Sequence, residues 1–492
     1  MRPTPRWAGF WLTHTPDGNV LCSEDRRRAN PCRLAGFSPP GFGGVATFGQ
    51  LTISYCFNPV LTILSKTLPL LRGISRLDFI ALIINITIGA GILGLPAKLY
   101  ALTGTWSLLA YGVSAAVVTL IILCFAEVSS RFSGTGGPYL YARVAFGPLV
   151  GFQVGWLFWL SRLAAFASIC NLFVSYAALF RPQLAGGWER TGLITGLVLG
   201  LTVLNYAGVR RSARVNTAFT ISKLLAIGLF AAGGLFFVDP AAFVFPPLPA
   251  YAPFSQAVLL LIFTFSGFDV AAIPAGEVQR PQRTVPVALL VAIGTVAVLF
   301  MAVQVVCVGT LPQLAQSERP LADAARQFVG PAGAGLITVV ALVTALGTLQ
   351  ALMLTGPRLL FAMAEQGQLP NWLAATHSRF RTPHRAVLLT AALQWLLAVT
   401  GTFLYALTLS TLIRLAYFAL TCAALPVLRR RADVPAAQFR VAGGGLVAGL
   451  AVLLCLWLLS NGSGREVRDV VLAAGLGLLI FLGMQWRRPP RS

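Results

Sequence analysis

The sequence predicts an all-α polytopic membrane protein of twelve spans, built as two inverted five-span repeats followed by two peripheral spans. Three observations lead there. The 492-residue chain is 57% hydrophobic and 11% charged, with a mean hydropathy of +0.77, whereas a soluble domain carries about 25% charged residues. Apolar stretches close to the roughly 20 residues that cross a bilayer recur along the chain. Two of them, the first and the sixth, are interrupted by glycine and proline. Interrupted spans at corresponding positions of two halves point to an inverted-repeat transporter, and a repeat of five spans puts the halves in opposite orientations.

Residues 1–71 differ from the rest of the chain. They are polar, rich in Arg, Pro and Gly, and lack the basic, apolar and small-residue order of a signal peptide. The apolar patch within 51–71 is cut by Asn58-Pro59 and Lys66. The tail reads either as a disordered segment or as sequence upstream of a start near residues 60–70, the second being preferred. The expected spans lie near 78–101, 105–128, 148–178, 191–208, 215–238, 254–276, 285–311, 333–361, 386–404, 408–428, 442–460 and 468–486. Residues 72–428 then form a ten-span core, and 429–492 hold the peripheral pair and a C-terminal segment. Lys and Arg gather on alternate connections, at Arg72 and Arg76, Arg131 and Arg143, Arg210, Arg211 and Arg214, Arg280 and Arg283, Arg358, Arg379, Arg381 and Arg385, Arg429 to Arg431 and Arg440, and Arg487, Arg488 and Arg491. That bias puts both termini in the cytoplasm of a cell-membrane protein.

The first span reads DFIALIINITIGAGILGLPAKLYA, with Gly89, Ala90, Gly91, Gly94 and Pro96 in its middle. Lipid offers no partner for freed backbone groups, so a broken helix is tolerated only where it is buried in protein or lines a cavity. The sixth reads FTFSGFDVAAIPAGEVQRPQRTVP over 263–286, broken at Ser266-Gly267 and again at Pro274-Ala275-Gly276, with Asp269 between the breaks. A charge at the centre of a spanning helix costs about 2.5–3.5 kcal/mol on insertion scales, so it usually has a partner or a task. Arg162 in the third span, mid-membrane by these boundaries, joins Asp269 on that ground. Glu127, Glu277, Arg280 and Arg283 fall at the cytoplasmic face, as loop ion pairs closing an inner gate or as solvated charge.

Composition also excludes. The net charge of +22 is spread over short connections, with no basic stripe interleaved with aromatics for nucleic acid. The cysteines are dispersed, with Cys124, Cys170, Cys307 and Cys455 inside apolar spans, and form neither a disulfide framework nor a zinc spacing. No histidine lies in a span: His14 is in the tail, and His377 and His384 in a connection. An intramembrane enzyme would need paired His, Asp or Glu on neighbouring spans, and no GxxxxGK[ST] loop is present for a nucleotide. No metal, cofactor or catalytic residue is expected. A transporter-like sensor without turnover stays open at this point, although the absence of a soluble effector domain argues against it.

Four stretches carry a resemblance to the amino acid–polyamine–organocation permease superfamily, whose fold is of the LeuT type. They are IGAGILGLP at 88–96, with Leu93 where Phe is commoner, GTGGPYLYARVAFG at 134–147, GFDVAAIPAGEVQRPQRTVP at 267–286 and PRLLFAMAEQGQLP at 357–370. The resemblance runs through residues 73–486. It implies secondary transport of an amino acid by alternating access, as a proton symporter or an exchanger, with a polyamine or other organic cation as the alternative. It further implies that the substrate carboxylate meets backbone amides at Gly89, Ala90 and Gly91, with Ile92 beside them. The ammonium meets carbonyls near Ile86 and Thr87 and near Phe263 and Phe265, around the break at Gly267. Phe263 matches an aromatic gate, or is an ordinary core Phe. Lys223 matches a lysine that replaces sodium in proton-coupled or sodium-independent relatives, or else snorkels to the interface. Arg162 is expected in an ion pair or against carbonyls of a broken helix, and Asp269 as an orderer of the unwound segment or a substrate contact. A polyamine would call for several carboxylates, and only Asp269 is placed for one. The small apolar lining at Ala90 and Ile92 favours neutral amino acids.

Overall fold

A computed structural model describes residues 11–14, 20–23, 75–132, 137–206, 223–271, 278–378, 380 and 382–486. The chain divides at Pro69/Leu70 into two units, and each is taken by itself. In the first, β1 (Trp11–His14) and β2 (Val20–Ser23) pair antiparallel, with Trp11 opposite Ser23 and His14 opposite Val20. The other expectations for residues 1–71 lie outside the described residues, as do Glu277 and the positive residues of 207–222 and 487–492.

The second unit is helical. Its first span is two helices, α1 (Arg76–Thr87) and α2 (Ala90–Thr103), separated at Ile88-Gly89. Then come α3 (Ser107–Ser129), α4 (Gly137–Phe146), α5 (Pro148–Ala177), α6 (Gly187–Tyr206) and α7 (Lys223–Phe237). The sixth span is again two pieces, α8 (Tyr251–Thr264) and the single turn α9 (Phe268–Ala271). After it lie α10 (Pro281–Thr310), α11 (Pro320–Val329), α12 (Pro331–Glu365), α13 (His384–Thr400), α14 (Phe403–Arg430), α15 (Gly444–Ser460) and α16 (Gly464–Trp486). Among the described residues, helices overlap the apolar stretches read above. Among the described residues, seven helical stretches can cross a membrane by length and composition, and α7, α13 and α15 are shorter apolar helices. Exposed leucines on α15 (Leu446, Leu450, Leu453) and α16 (Leu472, Leu476, Leu479, Leu482) give those helices an apolar outer face. Such a face is stable in lipid and not in water, so the chain is an integral, multi-pass membrane protein.

Two connections differ from the reading of plain loops. The stretch after α3 folds into α4, which Gly147, at φ +91°, and Pro148 at the first turn of α5 bring to an end. His384 is the first residue of α13 rather than part of a loop. The innermost helix is α5, almost wholly buried, against which α14, α12, α13 and α4 pack. The half-helices lie beside one another: α2 packs on α8, and α9 on α1. Cys422, on α14, joins the four cysteines read inside spans, and all five are free and buried.

Candidate functional site

The break in the first span follows from its sequence. Ile88 still donates to the Ile84 carbonyl at 2.9 Å, closing the last turn of α1. Gly89 then leaves the helix at φ −121°, ψ −149°, and α2 restarts at Ala90 with no side-chain cap on its N-terminus. The first N–H groups of a helix have no partner within it, and they carry the positive end of the helix dipole. Pro96 frees a further carbonyl group within α2, and Tyr176 of α5 ties this half-helix down by donating to the Leu93 carbonyl at 2.8 Å.

Lys223 closes the other side of the break. Its ammonium donates to the carbonyls of Asn85, at 2.5 Å, and Ile88, at 2.9 Å. The side chain is buried, so it does not snorkel. A cation on the last carbonyls of α1 opposes the negative end of that helix.

In the sixth span, Phe265 closes α8, and Gly267 turns the chain at φ +128°, a conformation that favours glycine. A Cβ at Gly267 would lie 2.9 Å from the carbonyl carbon of Ile86, so the two breaks face each other at van der Waals distance. Gly91 performs the same service on the other side, since a Cβ there would sit 2.8 Å from Thr264 Cα. Gly89 is different. Its nearest neighbour would be Thr348 Cγ2, at 3.9 Å. Ile86 is half-buried, and Thr87, Ile92, Phe263 and Phe265 are buried. The ring of Phe265 packs between Tyr111 and Phe300. The side chain of Ala90 is not among those described.

Asp269, wholly buried, sits two residues past Gly267. One carboxylate oxygen accepts from the Gly267 N–H at 3.1 Å, and the other from the Tyr417 hydroxyl at 2.7 Å. Arg162 of α5 approaches it to 3.9 Å and Arg414 of α14 to 3.6 Å. Arg162 also lies over the Phe158 ring at 4.2 Å, and Arg414 5.8 Å from the centre of Phe263. Asp269 thus both orders the turn and joins two arginines. Sequence reasoning missed Arg414 and Tyr417. Arg414, a charge inside an apolar span, carried the same signal as Arg162, whereas Tyr417 carried none.

At the C-terminal end of α3, Glu127 is buried rather than solvated. Arg429 grips both its oxygens, at 2.7 and 2.6 Å, the Val441 N–H donates at 2.8 Å, and Arg131 stands at 3.7 Å. Arg280 is not brought to it. Arg280 is exposed, takes a left-handed φ of 48°, and offers its carbonyl to the N–H groups of Arg283 and Thr284 at the start of α10. Among the described residues no group of His, Cys, Asp and Glu could hold a metal ion.

Comparisons with known proteins show similarity to transporters. The chain is 28% identical over 444 residues to a protein of Bacillus subtilis named methylthioribose transporter, covering 85% of this chain and 94% of that one. It is 32% identical over 414 residues to an uncharacterised transporter of Mycobacterium tuberculosis, covering 82% and 90%. It is 27% identical over 441 residues to a branched-chain amino acid permease of B. subtilis, covering 83% and 92%. All three bear names of transporters, and none that of an enzyme. The family described as amino acid permease matches residues 74–480, and the chain belongs to that family, within the amino acid–polyamine–organocation superfamily of membrane transporters.

Proposed function

We propose that this permease moves a neutral amino acid across the cell membrane by alternating access, on a twelve-span body of two inverted five-span repeats with both termini cytoplasmic. The observation that carries the reading is the apposition of two helix breaks, Gly267 lying against Ile86 and Thr87. The substrate carboxylate would take the uncapped N-terminus of α2 at Gly89, Ala90 and Gly91, next to Ile92. The ammonium would take carbonyls around Ile86, Thr87, Phe263 and Phe265, with the Phe263 ring as cover. Two buried arginines against one buried carboxylate disfavour a polyamine. Lys223 holds the first break by its charge, so a change of its protonation would loosen that break, and this supports a coupling role.

Uptake into proteoliposomes tests the reading. Labelled amino acids, polyamines and methylthioribose are offered with and without an inward proton gradient, to the native protein and to Lys223→Ala. Accumulation of a neutral amino acid that needs the gradient, lost in the variant, makes the protein a proton symporter. Uptake that ignores the gradient but needs amino acid inside the vesicle makes it an exchanger. Uptake of none of the amino acids refutes the proposal. The relative named methylthioribose transporter, matched over 85% of this chain, favours one second reading, an uncharged thio-sugar.

A further inference from the structure

We infer that Arg162 and Arg414 form a buried site for one small monoanion at the break of the sixth span. The two guanidinium side chains are 1% and 5% exposed, and Asp269 between them is 0% exposed. Arginine does not lose its proton in proteins, so two cations face one carboxylate and the cluster keeps one net positive charge. The carboxylate is already occupied. Its oxygens accept from the Gly267 N–H and the Tyr417 O–H, while the arginines stop at 3.9 and 3.6 Å, outside hydrogen-bonding distance. Arg162 Nε and Nη2 and Arg414 Nε are buried without a hydrogen-bond partner among the described residues. The other faces described around them, Phe158 and Phe263, are aromatic. Buried donors are almost always satisfied, and a buried charge is stable only when paired. One monoanion on the two guanidiniums would take the orphaned N–H groups and cancel the charge.

The recognised chemistry is that of a halide or a carboxylate, supplied either as a dissolved ion or as the side chain of an acidic amino acid. The inference goes beyond the amino-acid reading, which places the zwitterion on backbone groups, and its test requires no transport. Thermal unfolding of the full-length protein in lipid nanodiscs is followed at constant ionic strength, with a bulky sulfonate anion (HEPES) replaced stepwise by chloride, and separately with aspartate or alanine added in the sulfonate. A rise of the midpoint that saturates with chloride assigns the site to a free ion. A rise with aspartate but not with alanine assigns it to a substrate carboxylate. In either case Arg414→Gln abolishes the rise, and Arg414→Lys, which keeps the charge but loses the fork, weakens the apparent affinity at least several-fold. A native protein that responds to neither chloride nor aspartate overturns the inference, as does a folded Arg414→Gln that responds like the native protein.

Discussion

Gly89 and Gly91 are two residues apart, and their substitutions should fail in different ways. A methyl group at Gly91 would sit 2.8 Å from both Thr264 Cα and Cβ, and the backbone there cannot swing aside as a flexible side chain would. Overpacking of that kind costs about 1–3 kcal/mol, so Gly91→Ala is expected to lower the unfolding midpoint and the yield of folded protein. At Gly89 the nearest atom is 3.9 Å away, and its φ of −121° is open to any residue. What Gly89→Ala loses is the modest preference for glycine over alanine at a helix N-cap, under about 1 kcal/mol. If the substrate carboxylate binds the N-terminus of α2, the added group enters the space the substrate needs. Uptake should fall at least tenfold, about 1.4 kcal/mol of binding, with Gly89→Leu worse than Gly89→Ala. The assay pairs thermal unfolding in detergent with initial uptake rates in proteoliposomes. Native uptake by a well-folded Gly89→Leu protein would refute the placement of the substrate. A Gly91→Ala protein with the native midpoint would refute the packing argument.

Three further outcomes are expected. Lys223→Met leaves the Asn85 and Ile88 carbonyls without their charge-assisted bonds, each worth about 1.5–3 kcal/mol, and should destabilise the protein; an unchanged midpoint means that the lysine does not hold the first break. Tyr417→Phe keeps the ring packed against Phe158 but takes a donor from Asp269, for a loss of about 1–3 kcal/mol, read in the same melt; no loss would show that the carboxylate does not depend on this bond. Glu127→Gln and Arg429→Gln should be non-additive, with a coupling of about 1–3 kcal/mol in a double-mutant cycle, and additive effects would reject the two-pronged pair as a clamp on the C-terminal ends of α3 and α14.

Long-range pairing separates what could be read in the sequence from what could not. The helices were legible because each must present close to 20 apolar residues to lipid. The breaks were legible because glycine interrupts both apolar runs: Gly91 and Gly267 remove side chains where two backbones meet, and Gly89 is where the chain leaves α1. Arg162 and Asp269 stood out because charge within an apolar span needs a reason, and Lys223 because it matches a lysine of the family the chain resembles. The partners did not stand out. Asp269 meets Tyr417 and Arg414 across nearly half the core, and Glu127 meets Arg429 and Val441 across more than half of the chain. No local pattern encodes such separations. Arg414 lies in LSTLIRLAYF, where its charge was as visible as that of Arg162. Glu127 was read with the loop charges Glu277 and Arg280 because position along the chain suggested a shared face. The fold instead gives it Arg429, since α3 and α14 end side by side. The helix α4 was hidden because its polar and aromatic residues, Tyr139 and Arg143 among them, turn towards Gln366 and Gln368 rather than towards lipid.

The buried charges also say which parts of the core can move separately. Among the described residues they are Glu127, Arg131, Arg162, Lys223, Asp269 and Arg414, and each lies at a helix break or at a helix end or is paired with a group that does. Separating any of these groups from its partner inside the core would strand a charge away from water, which is far more costly than shearing an apolar contact. Lys223 therefore ties α7 to α1, so α1 should tilt together with the fifth span rather than alone. Asp269 is bonded to Tyr417 of α14 and flanked by Arg162 of α5, so the break at Gly267 should stay with those two helices. The weak plane runs between these charge-linked groups, where Gly91 meets Thr264 and Gly267 meets Ile86 through van der Waals contact alone. If the proposed substrate site lies there, a bound substrate would touch both sides of that plane and bias which side opens.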